Sequence, residues 1–259
     1  MAPVESLASR LRAALATGRP LVGTLVKLAS PAVAEILGVA GFDFVVVDFE
    51  HGGLGYDLAE DIARAADAGG CALLVRLSGA GAAEIGHALE LGAAGLHCPH
   101  IESAAEMEQI LRAIHLPPRG ERGFSLSNRA ARFGRVPGAL YYSAAWRPVL
   151  VPQIESLAAI QALPAIAAVN GVDLVFLGRG DLSAALGTPG EIGDARVWEA
   201  VAEAAAQAER AGIPWGAFAG GIEDGRRLLQ MGCRYLVVET DVTLLRGMAE
   251  QVVRGLRPA

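Results

Sequence analysis

Two acidic residues, Glu155 and Asp181, stand where short apolar segments of the sequence end. Carboxylate oxygens are preferred ligands of hard divalent cations, and a 2-oxo acid can complete such a site through its carboxylate and keto oxygens. If the two segments are neighbouring strands, the carboxylates converge and favour a cation between them. The alternative is that each pairs with an arginine or caps a helix, as Asp181 would before the helical turn expected at 182–186.

A histidine and an arginine follow two earlier apolar segments. His51 can exchange protons near neutral pH, which makes it the candidate base, and Asp48 and Glu50 are close enough in sequence to orient it. Arg76 offers a permanently charged, forked donor that suits a carboxylate or an enolate oxygen. The alternatives are a loop histidine bonded to backbone and an arginine that forms a salt bridge with Asp48 or Glu50.

Two further features are compatible with ligand binding. His97 and His100 flank Cys98, and imidazole and thiolate are zinc ligands, but no second cluster completes a tetrahedral set. The segment 119–135 carries five arginines. It is interpreted either as an anion-attracting lid or as a solvated or subunit-contacting loop.

Around these residues, the chain alternates short apolar segments with longer segments of helical periodicity. The predicted strands span residues 21–26, 44–48, 72–76, 95–98, 149–153, 174–177, 215–218 and 235–238. The predicted helices span residues 31–39, 57–68, 82–91, 103–114, 157–169, 195–211, 224–231 and 243–254.

Eight successive strand-then-helix units, with strands apolar on both faces, predict an α/β protein with a closed (β/α)8 TIM barrel. A doubly wound open sheet is the alternative, although the chain has neither G-x-G-x-x-G after its first strand nor the Walker signature. In a barrel, functional residues lie at the carboxyl ends of the strands. The candidates named above fall at those ends.

Composition limits the classes of protein to consider. The 259 residues, 53% of them hydrophobic, suffice for one large core, so we expect a single domain over residues 1–259. No apolar run approaches the ~20 residues of a membrane span. The net charge of −6 argues against a nucleic-acid partner. The N-terminal segment lacks a secretory pattern, and the three cysteines are odd in number, which together predict a cytoplasmic protein.

Six stretches are distributed along the chain from Phe42 to Leu245: FDFVVVDFEHGGL, LLVRLSG, LPPRGERGF, VPQIES, GVDLVFLGRGDLSAALG and DVTLL. Together they resemble the HpcH/HpaI aldolases, a family of metal-dependent pyruvate aldolases. The resemblance implies a barrel of the phosphoenolpyruvate/pyruvate type. It also implies a homotrimer or homohexamer in which the C-terminal helix packs on a neighbouring subunit.

The resemblance assigns roles to individual residues. Glu155 and Asp181 become the two protein ligands of a divalent ion, with Mg²⁺ and Mn²⁺ considered first and Co²⁺ and Zn²⁺ after them. His51 becomes the base, acting directly or through a water, and Arg76 binds and stabilises the enolate. Asp48 matches the residue that orients the histidine.

Other implied roles concern substrate binding and subunit contacts. Gln153, Gly178 and the backbone near Gly180 and Asp181 match the pyruvate pocket. Glu90 stands where some members supply a second orienting acid, usually an aspartate, to the adjacent subunit.

Two departures from the family pattern bear on the size and charge of the pocket. The usual GPADLS reads GRGDLS, which places Arg179 where proline is typical. The fourth predicted strand ends in LHCPH, where VPMV or VPHV is common.

The implied reaction is the reversible aldol cleavage of a 4-hydroxy-2-oxo acid to pyruvate, or hydroxypyruvate, and an aldehyde that the sequence does not identify. The expected partners are therefore small molecules. One alternative is a Schiff-base aldolase using Lys27, the only lysine in the chain, which has no obvious activating partner nearby in sequence. The others are a relative of the CoA-thioester lyases and a barrel that binds a ligand without catalysis.

Overall fold

The structure, a computed structural model, describes residues 6–143 and 146–257 and forms a closed barrel of eight parallel strands. The strands are β1 (Leu21–Val26), β2 (Phe44–Asp48), β3 (Ala72–Arg76), β4 (Gly95–Cys98), β5 (Val149–Ile154), β6 (Val175–Leu177), β7 (Trp215–Ala219) and β8 (Tyr235–Thr240). Each strand pairs with the next, and β8 pairs with β1. The predicted (β/α)8 barrel is confirmed, and the open doubly wound sheet is wrong.

Helices surround this barrel and follow the predicted order. They are α1 (Leu7–Ala16), α2 (Pro31–Val39), α3 (Tyr56–Gly69), α4 (Ala82–Glu90), α5 (Ala104–Ile114), α6 (Gly138–Tyr141), α7 (Leu157–Ala167), α8 (Arg179–Ala185), α9 (Ala195–Arg210), α10 (Ile222–Gln230) and α11 (Asp241–Leu256). Ser103 and Thr240 begin α5 and α11 with capping boxes that satisfy free backbone N–H groups. The sequence did not predict α1 or α6, and the turn expected at 182–186 begins earlier, as α8.

Alternation along the strands separates two buried layers. In β2, Phe44 and Val46 pack inside the barrel, whereas Val45 and Val47 pack against the helices. Successive side chains of a strand point to opposite faces, so Asp48 is directed inward at the end of the strand. The interior row continues through Arg76 of β3, which is in register with Asp48.

The same rule carries polar residues of β4 and β5 into the interior. His97 is in register with Arg76 on one side and with Val151 on the other. Gln153 stands two residues beyond Val151, which is an interior residue, and therefore faces the same way. The strands thus build a polar layer above an apolar barrel core.

The N-terminal end of the barrel is covered by α1, whose residues Ala8, Leu11 and Leu15 join the interior apolar cluster. The arginine-rich segment 119–135 lies near the same end. Arg129 donates to the carbonyl of Leu91, the C-cap of α4, and to the carbonyl of Ala63 in the middle of α3. Arg129 is therefore anchored away from the carboxyl end of the barrel, whereas residues 121–125 lie along α4 as far as Ala82. The lid and the loop interpretations both stay predictions.

The final helix exposes much of its apolar surface. Leu245, Met248 and Val252 of α11 are 64%, 59% and 52% exposed. Within residues 6–143 and 146–257, no helix combines the length and the apolar character needed to cross a membrane.

Candidate active site at the carboxyl end of the barrel

Asp48 and Arg76 form the most tightly connected pair at the carboxyl end of the barrel, which is called the mouth below. Arg76 donates to Asp48 through Nε at 2.9 Å and through Nη2 at 2.7 Å. Asp48 is fully buried and also accepts from the backbone N–H groups of Glu50 and His51, each at 3.1 Å. Burial raises the pKa of Asp48, but the bonds and charge of Arg76 outweigh it and lower the pKa to about 2.

Glu50 is a second buried carboxylate at the mouth, with a side chain only 6% exposed. Its oxygens lie 3.1 Å from Nη1 of Arg76 and 2.9 Å from Nε2 of His100. These are ion-pair distances, yet neither oxygen has a hydrogen bond of good geometry among the described residues. A buried carboxylate with free lone pairs is costly unless a ligand satisfies it.

His51 is open to the mouth, because its side chain is 57% exposed. Its Nε2 lies 3.8 Å from a Glu50 oxygen. Asp48 contacts the backbone N–H of His51, so it fixes the loop, and Glu50 is the carboxylate nearest to the ring. The structure thus places an accessible imidazole beside an acid, which is the arrangement that a general base needs.

Glu155 follows β5 and is buried, with 5% exposure. It accepts from the amide of Gln153 and, at 3.0 Å, from the backbone N–H of His100. Burial raises the pKa of Glu155, and the charges of Asp181 and Glu50 act in the same direction. Three carboxylates are therefore close enough to repel one another at the mouth.

Asp181 lies in the first turn of α8 and is exposed, so its carboxylate is available to a ligand from solvent. In the described part of the chain, no three His, Cys, Asp or Glu side chains are arranged to hold a metal by themselves. The donor set is nevertheless of the type that fits a hard cation: the carboxylates of Glu155 and Asp181, next to the unsatisfied oxygens of Glu50. Water or substrate would have to supply the remaining ligands.

Lys27 is held in an ion pair. Its Nζ lies 3.1 Å from Asp48 and donates to the carbonyl of His51 at 3.4 Å. The nitrogen is thus engaged by a buried carboxylate and a backbone carbonyl, so it would have to leave both partners before it could attack a keto carbon. This contact disfavours the Schiff-base alternative.

The side chains of LHCPH point in three directions. His97 faces the barrel interior, where its Nε2 lies 2.8 Å from the Tyr235 hydroxyl. Cys98 packs outside the barrel, and burial raises the pKa of its thiol to about 12, so it is not a thiolate. Only His100 reaches the mouth. The three side chains do not converge on one zinc ion.

Arg179 also lies elsewhere than the sequence suggested. It is fully buried, 2.7 Å from a carboxylate oxygen of Asp224, and stacks on Trp198 with its guanidinium carbon 4.2 Å from the ring centroid. The charge is neutralised between α8, α9 and α10, so it does not enter the mouth. The departure at Arg179 therefore adds no charge to the mouth of this subunit.

The two glycines of GRGDLS differ in their surroundings. A Cβ on Gly178 would lie 2.3 Å from Cγ of Glu155, whereas a Cβ on Gly180 would meet no heavy atom within 4 Å. Gly178 is therefore needed for the position of Glu155, and Gly180 lines open space. Glu90 ends α4 near the opposite end of the barrel and does not reach the mouth of its own subunit.

The family model of HpcH/HpaI aldolase/citrate lyase matches residues 22–247 of the chain. This chain belongs to that family. A 5-keto-4-deoxy-D-glucarate aldolase of Klebsiella pneumoniae is 34% identical over 249 residues, which is 96% of this chain and 97% of the relative. Membership in the HpcH/HpaI family makes the chain a relative of carbon–carbon lyases that act on small molecules.

Solved structures agree with this assignment. An HpcH/HpaI aldolase/citrate lyase family protein from Burkholderia cenocepacia has a TM-score of 0.91 at 31% identity, covering 96% of this chain and all of that one. The HpcH/HpaI aldolase from Desulfitobacterium hafniense has a TM-score of 0.89 at 29% identity, covering 96% of this chain and 97% of that one.

His100 is a residue of the mouth for which the sequence suggested only a zinc site. Its backbone φ of 54° is in the left-handed region, which turns the chain at the end of β4 and brings both ring nitrogens toward carboxylates. Nδ1 lies 3.3 Å from Glu155 and Nε2 lies 2.9 Å from Glu50. Its place soon after β4 is the feature of the sequence that indicates a position at the mouth. The neighbouring Cys98 made a zinc site the other interpretation.

Proposed function

We propose that the protein is a divalent-metal-dependent aldolase that reversibly cleaves a 4-hydroxy-2-oxo acid to pyruvate, or hydroxypyruvate, and an aldehyde. The observation that carries the proposal is the convergence of Glu50 and Glu155, both buried, with the exposed carboxylate of Asp181 at the mouth. Such mutual repulsion is relieved by a cation. The activity of the Klebsiella relative, an aldolase by name, supports the same reaction type.

Glu155 and Asp181 would hold the ion, with Mg²⁺ or Mn²⁺ preferred by oxygen donors and Co²⁺ or Zn²⁺ as the other ions to test. When bound, the ion would supply Lewis-acid polarisation of the keto group. Gln153 and the glycines Gly178 and Gly180 would form the wall that receives the pyruvyl part. The glycines leave room for the ligand, and the amide of Gln153 is a hydrogen-bond donor beside Glu155.

The chain's own residues would perform the proton and charge transfers. His51 takes the proton of the C4 hydroxyl, and the released O–H electron pair forms the aldehyde C=O bond. The C3–C4 bonding pair passes to C3 and gives the enolate of pyruvate, whose negative oxygen faces Arg76. A proton returned to C3 completes pyruvate. Asp48 keeps the guanidinium fixed through two hydrogen bonds.

Glu90 has no part in this mouth in its own subunit. We propose that it acts, if the protein is a homotrimer or homohexamer, at the site of a neighbouring subunit as a second acid that orients the base. Its position at the end of α4, on the outer surface of the barrel, is compatible with such a contact.

The experiment uses pyruvate in deuterium oxide and follows the methyl proton signal by NMR after chelator treatment of the protein. We expect exchange only when Mg²⁺ or Mn²⁺ is added, because the enolate must form before deuterium can enter. Glu155→Gln should abolish exchange, and Glu203→Gln, an exposed carboxylate on α9, should not. Failure of every ion to promote exchange would exclude pyruvate, and hydroxypyruvate would be tested by the same exchange at C3.

A parallel incubation with pyruvate and borohydride separates the two aldolase classes. A Schiff base would be reduced to a stable adduct on Lys27, detectable as an added mass on one peptide. We expect no adduct, because Asp48 holds the ammonium group. An adduct would replace the metal-dependent proposal with the Schiff-base mechanism.

A further inference from the structure

A chain of buried polar side chains runs from β8 through β4 to β5. His97, Gln153 and Tyr235 are 2%, 1% and 1% exposed, in a barrel interior that is otherwise mostly apolar. The Tyr235 hydroxyl lies 2.8 Å from Nε2 of His97, and the Gln153 amide donates to Glu155. Buried polar groups are costly unless they are bonded, so their presence calls for a specific arrangement.

The aromatic rings hold the first two members rigidly. Tyr235 stacks on Phe44 with ring centroids 4.2 Å apart. A Cβ on Gly23 would lie 2.2 Å from the Phe44 ring, and a Cβ on Gly216 would lie 2.8 Å from the Tyr235 ring. Both glycines are therefore required for this stack, which fixes where the Tyr235 hydroxyl points.

The protonation of His97 follows from its partners. Burial, first, and the charge of Arg76 lower the pKa of His97 to about 3, so the imidazole is neutral at physiological pH. Burial also raises the pKa of Tyr235, which keeps its proton. In the described part of the chain, the Tyr235 hydroxyl has one side-chain partner, Nε2 of His97. When the hydroxyl donates and Nε2 accepts, the hydrogen of the neutral ring lies on Nδ1.

Gln153 has one unsatisfied end. Its Oε1 is buried without a hydrogen-bond partner of good geometry among the described residues. His97 is the neighbour that can supply the donor, since it is in register with Val151, the interior residue of β5 that precedes Gln153 by two positions. An amide donates at one end and accepts at the other. With Oε1 turned to His97, the amide presents its Nε2–H to Glu155.

We propose that Tyr235 and His97 are positioning residues for the candidate metal ligand Glu155. Tyr235 sets the Nδ1–H tautomer of His97, that N–H sets the orientation of the Gln153 amide, and the amide holds the carboxylate. The inference rests on the proposed function, because it takes Glu155 to be a metal ligand. When a residue that orients a metal ligand is removed, the affinity for the metal typically falls by about 10-fold to 100-fold.

The first test reads the tautomer in the wild-type protein and uses a variant only to assign the resonance. NMR of the wild-type protein labelled with ¹⁵N-histidine distinguishes a protonated from an unprotonated ring nitrogen, and His97→Leu identifies the resonance. We expect Nδ1 to carry the proton in the metal-free protein. A proton on Nε2 would overturn the inference, because Nδ1 could then not donate to Gln153.

The second test measures Mn²⁺ affinity by titration calorimetry and by electron paramagnetic resonance. His97→Leu keeps the approximate volume without a donor and should weaken Mn²⁺ binding about 10-fold. His97→Asn places an amide N–H near the position of Nδ1 and should recover most of the affinity. Phe176→Leu, next to the His97 ring at 5.1 Å between centroids, is the apolar control and should bind Mn²⁺ like the wild type.

A double-mutant cycle shows whether the effect passes through the amide. In a Gln153→Leu background, His97→Leu should cause no further loss of Mn²⁺ affinity, because the connection is already cut. If His97→Leu bound Mn²⁺ as tightly as the wild type, the positioning inference would be overturned and the proposed function would not. Absence of Mn²⁺ binding by the wild-type protein would instead overturn the proposed function, and with it Glu155 as the group being positioned.

Discussion

Asp48 and His51 stand close together after β2 and have opposite surroundings. Asp48 is buried and bonded to Arg76, Lys27 and two backbone N–H groups, so it has no freedom to meet a substrate. His51 is more than half exposed, and among the described residues Glu50 is the acid within ion-pair distance of its ring. A saturated carboxylate suits positioning, and an open imidazole suits proton exchange with a bound molecule.

His51→Ala should therefore lower kcat for aldol cleavage by about 100-fold or more, which is the usual contribution of a general base. The melting temperature should stay near that of the wild type, because the exposed ring packs little. His87→Ala, an exposed histidine on the outer helix α4, is the matched control and should keep full activity. Equal rates for wild type and His51→Ala would remove His51 from the proposed mechanism.

His97 should make unfolding stability depend on pH. Its pKa is about 3 in the folded chain, below the ordinary 6.5, so the unfolded chain binds a proton that the folded chain does not. The contribution of neutral His97 to the free energy of unfolding is therefore fully present above pH 6.5 and is lost as the pH falls toward 3. The slope is about 1.4 kcal/mol per pH unit once the unfolded histidine is protonated.

The measurement is urea unfolding of metal-free protein at several pH values between 4.5 and 6. The free energy of unfolding should depend less steeply on pH in His97→Leu than in the wild type. The difference should correspond to the uptake of about one proton on unfolding. His87→Leu should not change the slope, because His87 is exposed. Identical slopes for wild type and His97→Leu would mean that His97 is protonated in the folded protein.

At the level of elements, the junction between β6 and α8 decides how close the two candidate ligands come. Gly178 is the N-cap of α8 and lies against Glu155 of the neighbouring β5, while Asp181 stands in the first turn of the same helix. Arg179 anchors this short helix from behind through Asp224 and Trp198. Packing behind α8 thus fixes the distance between Glu155, which follows β5, and Asp181 on α8.

Gly178→Ala should displace Glu155, since the added methyl group would overlap Cγ of Glu155 at 2.3 Å. We expect Mn²⁺ affinity to fall by about 10-fold or more. Gly180→Ala is the matched control: its methyl group meets no heavy atom within 4 Å, and alanine favours a helix more than glycine does. Comparable Mn²⁺ affinity for the two variants, measured by calorimetry, would contradict the role given to the junction.

At the level of the whole molecule, α11 is the element least covered by the rest of the chain. Leu245, Met248 and Val252 recur at helical spacing and are all more than half exposed. An apolar stripe of this kind marks a surface for protein contact. The packing of α11 on a second copy, like the trimer or hexamer, stays a prediction, as does the single domain over 1–259.

Leu245→Glu combined with Val252→Glu should lower the mass in solution to that of a monomer, because two charges would be buried in the proposed contact. Sedimentation equilibrium gives the mass directly. Arg246→Glu, on the charged side of the same helix, should leave the assembly intact. A monomeric wild-type protein would show that the stripe is not a subunit interface and that Glu90 serves no neighbouring site.

The sequence by itself determined the barrel and the end of the barrel at which its polar residues lie. Short apolar segments alternate with helical ones, so the pattern predicts that Asp48, Arg76, Gln153 and Glu155 stand at the carboxyl ends of strands. The family resemblance then named the roles of those residues. These roles remain predictions that the experiments above address.

Only the tertiary structure decided which side chains meet. Tyr235 is 138 residues from His97, and Asp224 is 45 residues from Arg179, yet each pair is joined by a hydrogen bond. The sequence pattern sets the strand end at which a residue lies, but barrel closure and strand register set which side chains surround it. For this reason Arg179 and Cys98 lie outside the mouth, whereas Glu50 and His100 lie near Glu155.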